Sequence, residues 1–431
     1  MNHRLNVYDT LARLFVNYNG GKAAPVTKYK AIFMATFTLQ HPSKGLISYT
    51  DKKRYQWLFA VLTPAVPLMG AAIYYQTGLE WTLALPLPLS YILFPILDWL
   101  SGSDENNPPE ELVPQLEADN YYRMLTMVTV PLHFLVLGVI AYVVGTNDLS
   151  LWTVFALAIV AGGYSGLGLT TAHELGHKPT AIEQTFAKMM LAVPAYGHFC
   201  VEHNGGHHVL VATPEDPASS QLGESIYAFA LREIPGTFAR GWNLEKTRLN
   251  RQHKATWSLH NNILQSYLLT AVLQGTLIYL FGWIMLPFLA VHNVWSWYQL
   301  TSANYIEHYG LLRAKNKDGR YERCQPHHSW NANYVMSNLA LFHLERHSDH
   351  HANPMRRYQS LRNFDDIPEL PNGYYGMFVL AYIPWLWFWA MDKRVLALPH
   401  INGDLSKVNI LPSKRAVIYA RFGQGQEMPQ T

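Results

Sequence analysis

Hydrophobic residues are concentrated in long runs rather than spread evenly along the chain. Runs of roughly 20 residues with almost no charged side chain recur at about 57–76, 82–100, 123–144, 150–171, 263–281 and 283–303. A helix rises 1.5 Å per residue, so each run is long enough to cross a hydrocarbon core of about 30 Å. The pattern predicts an all-α polytopic membrane protein with six transmembrane helices, and the polar segments predict a helical cytosolic domain.

Lysine and arginine residues predict how these helices are oriented. The connections at about 77–81, 145–149 and 281–283 contain neither residue, whereas Lys44, Lys52, Lys53 and Arg54 stand just before the first run. Loops on the cytoplasmic side of a membrane carry the positive charge. The N-terminus is therefore expected in the cytosol, and an even number of spans returns the C-terminus there.

The same runs predict three regions. Residues 1–50 form a polar, basic extension whose one apolar patch, Ala31 to Phe37, is too short to span and is expected on the membrane surface or against the cytosolic domain. Residues 51–420 form the membrane-embedded domain, and 421–431 form a tail. The apolar stretch from Tyr374 to Met391 contains Pro384, and crossing there would export several lysines and arginines, so an interfacial helix is expected instead.

Composition narrows the possible partners. The 431 residues carry a formal net charge of +3, which suits contact with anionic lipid and gives no indication of nucleic-acid binding. The two cysteines, Cys200 and Cys324, are too few for a disulfide framework or a cysteine-rich iron or zinc site.

The fourth run leads into His173-Glu174-Leu175-Gly176-His177. This spacing puts two imidazoles on one helical face and is also the signature of zinc proteases, in which the glutamate is a general base. A protease would need one further ligand, because a catalytic zinc takes three protein ligands and leaves one position open.

Three more groups of histidines fall on the side of the membrane assigned to the cytosol. They are His203, His207 and His208; His308 at the end of the sixth run; and His343, His347, His350 and His351, where the four-residue recurrence predicts one helical stripe. These are too many imidazoles for one zinc and enough for two metals. Imidazole suits Zn, Cu, Fe and Ni, so the ligand type leaves the element open.

Acidic residues accompany each group. Glu174, Glu202, Glu307 and Asp349 are candidates to accept a hydrogen bond from a ligating imidazole, a contact that fixes the ring and raises its basicity. A surface or capping role explains each of them as well. Asp98, near the inner end of the second run, is a further functional candidate because ionisable residues at that depth are costly, although it could instead reach the interface.

Small residues interrupt the fourth run at Gly162, Gly163 and Gly166. Residues this small either let two helices pack closely or leave a slot beside the helix. The second outcome would make these three glycines part of a candidate substrate channel.

Four blocks in order resemble the integral-membrane alkane monooxygenases, which belong to the histidine-box superfamily of fatty acid desaturases. The blocks are His-Glu-Leu-Gly-His-Lys (173–178), Glu-His-Asn-Gly-Gly-His-His (202–208), Asn-Tyr-Ile-Glu-His-Tyr-Gly (304–310) and Leu-x-Arg-His-Ser-Asp-His-His (344–351). The similarity covers roughly residues 50–420. It implies nine ligands to two non-haem irons, namely His173, His177, His203, His207, His208, His308, His347, His350 and His351. His343 lies outside the implied ligand set, and its role stays open.

The resemblance also implies a reaction and its partners. In such enzymes O₂ and two electrons convert the terminal methyl group of an n-alkane to a primary alcohol at the bacterial inner membrane. The electrons come from rubredoxin, which a reductase keeps reduced. Two cysteines cannot form a fused rubredoxin, which has four cysteine ligands, so a separate donor is expected. Arg356, Arg357 and Arg362 are candidates for its docking surface, although lipid headgroups explain them equally well.

Three other functions remain open at the level of sequence. A related desaturase or hydroxylase would act on fatty acyl, sterol or methyl-aromatic substrates. A zinc protease would use His173, Glu174 and His177, and a metal-binding scaffold would have no activity. Attack on an unactivated methyl group requires a redox-active metal, which favours iron over zinc.

Overall fold

A computed structural model describes residues 35–104, 106–423 and 426 of the chain. Most of the N-terminal extension, including the first part of its apolar patch, lies outside the described residues, as does most of the tail. The chain divides into two compact units, Met1–Gln56 and Trp57–Thr431.

The described part of the first unit is a β-hairpin. Strands β1 (Ala35–His41) and β2 (Gly45–Asp51) pair antiparallel, with Ala35 opposite Asp51 and His41 opposite Gly45. The turn places Gly45 at a φ of 72°, which glycine adopts without steric cost. The end of the predicted apolar patch therefore lies in a strand.

The second unit is helical. Its helices are α1 (Leu58–Thr77), α2 (Glu80–Ser101), α3 (Val113–Ala118), α4 (Asn120–Thr146), α5 (Leu151–Gly176), α6 (Ala181–Ala192), α7 (199–210), α8 (Ile226–Arg251), α9 (Asn262–Phe281), α10 (Met285–His308), α11 (Val335–Ala340), α12 (His347–Ala352), α13 (Tyr374–Ala381), α14 (Pro384–Leu396) and α15 (Arg415–Phe422). Helices α1, α2 and α7 each contain short 3₁₀ or π segments.

Capping residues mark where several long helices begin. The side chains of Asp119, Ser150, Ser225 and Asn261 each accept a hydrogen bond from a backbone N–H in the first turn of α4, α5, α8 and α9 respectively. Short polar side chains at this position satisfy N–H groups that have no partner inside the helix. The helix starts are thus encoded locally.

Within the described residues, five helices are long and apolar enough to cross a membrane, which confirms a polytopic and mostly helical membrane protein, with the β-hairpin as its only sheet in that part of the chain. They are α1, α2, α4, α5 and α9. The sixth predicted span corresponds to α10, which has the length but carries many polar residues on its buried side, including His292, Ser296 and Gln299. The count of six spans stays a prediction.

The ends of these helices divide into two groups. The connections α1–α2, α4–α5 and α9–α10 lie together, since Asn147 donates to the Tyr75 hydroxyl (3.2 Å) and the Tyr142 ring contacts that of Phe281. Exposed aromatic residues surround them: Trp81, Trp152, Tyr279 and Trp283. Such belts form at membrane interfaces. Helices α5 and α10 end with histidines at their other ends.

The stretch from Tyr374 to Met391 is divided between α13 and α14, which are separated before Pro384. It is not among the candidate spans. In α14 the indole of Trp387 is buried, whereas Trp385 and Trp389 are exposed, as expected of a helix with one face on the protein.

Candidate metal centre

Four elements bring the nine predicted histidines together in two groups. His173 lies in the last turn of α5 and His177 directly follows that helix. His203, His207 and His208 come from α7, His308 from the end of α10, and the last three from α12. The first group contains His173, His177, His203, His208 and His350. The second contains His207, His308, His347 and His351. Within each group the potential ligand atoms all lie within 4.8 Å of one another.

Helical geometry explains why adjacent histidines join different groups. Neighbouring residues on a helix point about 100° apart. Accordingly His207 and His208 diverge, as do His350 and His351. The π turn at His203–His207 brings His203 Nε2 to 3.0 Å from His208 Nε2. His208 Nε2 in turn lies 3.1 Å from His350 Nε2.

The arrangement of the imidazole nitrogens suits binding of metal ions better than hydrogen bonding between the rings. In the second group, His347 Nε2 lies 2.8 Å from His351 Nε2 and 3.3 Å from His308 Nε2. A neutral imidazole has one N–H, so such a cluster cannot satisfy all its nitrogens by mutual hydrogen bonds. The buried Nε2 atoms of His173, His177 and His207 have no hydrogen-bond partner among the described residues.

Burial keeps these rings in the form that binds metal. Burial first, and then the neighbouring imidazoles, lower the pKa values of five histidines outside the membrane spans well below the ordinary value: His203, His208, His347, His350 and His351. The rings are therefore neutral near pH 7, and a metal would have no proton to displace from the ligating nitrogen.

Glu307 is the predicted acid that touches a histidine of the centre. Its Oε2 lies 3.3 Å from His347 Nε2, and its Oε1 is buried without a hydrogen-bond partner. The structure thus places this carboxylate at the edge of the second group.

The other four predicted acids have different partners. Glu174 pairs with Lys178 Nζ at 3.2 Å, Glu202 with Arg240, Asp349 with Arg356 at 2.8 Å, and Asp98 accepts from Ser337 N at 2.9 Å. Among the described residues, none of these four carboxylates hydrogen-bonds a predicted ligand.

Asp216 is the carboxylate that sequence reasoning missed. Its Oδ2 accepts from His207 Nδ1 at 2.8 Å and from Ser219 Oγ at 2.6 Å, and its Oδ1 accepts from Arg240 at 2.7 Å. Burial alone raises the pKa of Asp216, but the His207 ring and Arg240 lower it overall. Asp216 is not adjacent to any histidine in sequence: it follows His207 by nine positions, in a turn. Its role could therefore not be predicted from sequence spacing.

His343 does not belong to either group, and the predicted stripe that included it is wrong. Phe342 and His343 have φ values of 49° and 54°, so the chain is not helical there, and α12 begins only at His347. His343 Nδ1 lies 2.8 Å from Tyr358 O, and Nε2 lies 3.2 Å from Asp104 Oδ2. Its ring packs edge-on against Trp57.

An apolar pocket between α2, α5 and α10 leads to the centre. Leu87, Val160, Leu167 and Phe378 help to line it, and its inner end contains His173, His203, His347 and Glu307. Gly163 and Gly166 also line the pocket. Gly162 does not: a Cβ there would lie 2.6 Å from His292 O, so this glycine allows close packing of α5 on α10.

The three arginines proposed for docking are paired within the chain. Arg356 binds Asp349, Arg357 Nη1 lies 2.8 Å from Glu183 Oε1, and Arg362 Nη1 lies 3.3 Å from Glu110 Oε2. Their side chains are 9%, 16% and 28% exposed, respectively. These pairs hold the segment after α12 in place, and Arg362 offers the most exposed charge.

Known proteins with similar sequences identify the family. The fatty acid desaturase family profile matches residues 150–381. The chain is 52% identical over 385 residues to alkane 1-monooxygenase 1 of Alcanivorax borkumensis, an alignment that covers 89% of this chain and 95% of that one. It is 51% identical to the alkane 1-monooxygenases of Ectopseudomonas oleovorans and Pseudomonas putida, each over 87% of this chain and over 93% and 92% of theirs. Together with the two histidine groups at the end of an apolar pocket, these matches show that the chain belongs to the alkane 1-monooxygenases, a membrane-bound branch of the fatty acid desaturase family.

Proposed function

We propose that this enzyme hydroxylates the terminal carbon of n-alkanes at a di-iron centre, with rubredoxin as a separate electron donor. The two histidine groups are the observation that supports the proposal, since five and four converging imidazoles suit two metals. Imidazole ligands and the need for redox chemistry favour iron. When bound, the iron pair would supply the O₂ activation that the reaction requires.

The chain's own residues would orient the substrate. The pocket is apolar along its length and polar at the end where His173, His203 and Glu307 lie. An extended alkane would therefore place a terminal methyl nearest the imidazoles, which gives terminal selectivity by shape. Exclusion of water from the pocket would protect a reactive oxidant from side reactions.

Other side chains would hold the ligands in position. Asp216 would fix the His207 ring through its Nδ1–H, which keeps Nε2 free for metal. Arg240 would hold the buried carboxyl groups of Asp216 and Glu202 together by contacting both. The pairing of Glu174 with Lys178, and the gathering of five imidazoles around the His173–His177 motif, argue against the protease mechanism.

The proposal includes an orientation in the membrane. The histidine ends of α5 and α10 would face the cytosol of a bacterial inner membrane, with both termini inside, so that alkane enters from the bilayer and electrons from the cytosol. Residues 51–420 would form the monooxygenase domain. Rubredoxin would dock on the cytosolic face near Arg362, while Arg356 and Arg357 brace that face through their ion pairs.

Two alanine variants test the ligand assignment. We expect His350→Ala to lose bound iron and octanol formation, because it removes one imidazole from the first group, and His343→Ala to retain iron because its ring lies outside both groups. Iron content is measured with octane hydroxylation by the purified enzyme, supplied with rubredoxin and its reductase. A wild-type enzyme with one zinc per chain and a His350→Ala variant that keeps its activity would refute the proposal. Turnover of acyl or methyl-aromatic substrates without octanol formation would favour a related desaturase or hydroxylase instead.

A further inference from the structure

A third group of metal-binding side chains lies outside the nine histidines, on the segment after α10. The potential ligand atoms of Glu322, His327 and His328 lie within 4.8 Å of one another. The ring of His400 packs against that of His327, with centroids 4.7 Å apart. The side chain of Glu322 is 40% exposed, and His327 and His400 are half-buried, so ions in solution can reach them.

Backbone hydrogen bonds fix the two segments that carry these side chains. Glu322 N donates to Ala314 O and Ala314 N donates to Glu322 Oε1, both at 2.9 Å, which closes a short hairpin. Leu311 pairs with Val408, close to His400 in sequence. The carboxylate and the His400 ring therefore come from segments that are already held together beside the end of α10.

His328 has a bonding pattern that suits support rather than ligation. Gln325 N donates to His328 Nδ1 at 2.9 Å, so in the neutral ring the proton lies on Nε2. That Nε2 faces Glu322 Oε1 at 3.2 Å. An imidazole that donates to a carboxylate in this way orients the carboxylate, as the residues around metal ligands do.

We propose that Glu322, His327 and His400 form a binding site for a zinc ion, separate from the nine-histidine centre, with His328 orienting Glu322. Two imidazoles and one carboxylate are a ligand set that zinc uses, and water would complete the tetrahedral coordination. The ion would link the hairpin after α10 to the segment after α14. The site does not depend on the metal bound by the nine histidines.

Metal binding to the full-length purified enzyme, with its iron in place, tests the site. We expect one Zn²⁺ per chain beyond the iron, measured by elemental analysis, and Co²⁺ in its place to show the visible absorption of four-coordinate cobalt. The double variant His327→Gln/His400→Gln is expected to lower the affinity for Zn²⁺ at least about tenfold. Its iron content reports whether the rest of the protein is folded.

Two further variants complete the test. Glu322→Gln removes the charge without removing an imidazole and should also weaken Zn²⁺ binding. His260→Gln changes an exposed histidine elsewhere and should leave binding unchanged. Equal Zn²⁺ affinity in the wild type and the double variant overturns the proposal, and so does a wild-type enzyme that binds no Zn²⁺ beyond its iron at micromolar concentration.

Discussion

Replacing Asp216 with asparagine tests how the second histidine group is held. The wild-type carboxylate is fully buried and accepts from His207 and Ser219 on one oxygen and from Arg240 on the other. An asparagine has one oxygen and one NH₂ group. In either orientation of the amide, its NH₂ group faces a group that is itself a donor, either His207 and Ser219 or Arg240. At least one of these hydrogen bonds is therefore lost.

The expected loss of metal affinity follows from the hydrogen bond between Asp216 and His207. A hydrogen bond to a charged group contributes about 1.5–3 kcal/mol, and loss of a carboxylate that orients a metal-bound histidine weakens metal binding about 10- to 100-fold. These two ranges agree, since about 1.4 kcal/mol corresponds to a factor of ten. We therefore expect Asp216→Asn to bind iron at least about tenfold more weakly than the wild type in competition with a chelator.

Asp98→Asn provides a matched control for the loss of a buried carboxylate. Asp98 is as buried as Asp216, but it accepts hydrogen bonds from the backbone N–H and hydroxyl of Ser337 rather than from a histidine. The assay follows iron release to a chelator and octane hydroxylation for both variants. Wild-type iron retention in Asp216→Asn, or equal loss in the two variants, would show that Asp216 does not position His207.

Two further predictions concern the pocket and pH. Gly163→Leu should shorten the preferred alkane, because Gly163 lines the pocket and a Cβ at this position makes only ordinary van der Waals contacts. Gly138→Leu, at an open position elsewhere, is the control. The assay compares the products formed from alkanes of different chain lengths. Burial raises the pKa of Asp392 from 3.8 to about 6, although the Tyr309 hydroxyl donates to it. The native state then holds the proton more tightly than the unfolded chain, so stability falls as pH rises through that interval, by at most about 3 kcal/mol. Asp392→Asn should thus gain thermal stability over wild type at pH 7.5 and lose that advantage toward pH 4, and an equal difference at both pH values would contradict this.

The membrane helices and the candidate ligands could be predicted because their signals are local. Apolar runs identify α1, α2, α4, α5 and α9, and repeated histidine spacings single out residues that the structure gathers in two groups. Whether α10 spans the membrane was harder to predict, since several of its polar residues are buried within the protein.

Contacts between distant segments could not be predicted in the same way. The acids beside the histidines were reasonable candidates, but a neighbour in a helix points about 100° away, and three of these four acids bind other partners. His343 fits the four-residue spacing, yet the positive φ values at Phe342 and His343 are not helical, and α12 begins only at His347.

The sequence by itself determined that this is a helical membrane protein of the alkane monooxygenase type with nine clustered histidines, because length, hydropathy and short-range spacing act within single helices. Only the tertiary structure decided how the histidines divide into five and four, that Asp216 holds His207, and that Gly162 packs helices while Gly163 faces the pocket. These outcomes depend on the direction of each side chain and on which segments fold against it, and neither is encoded in local spacing.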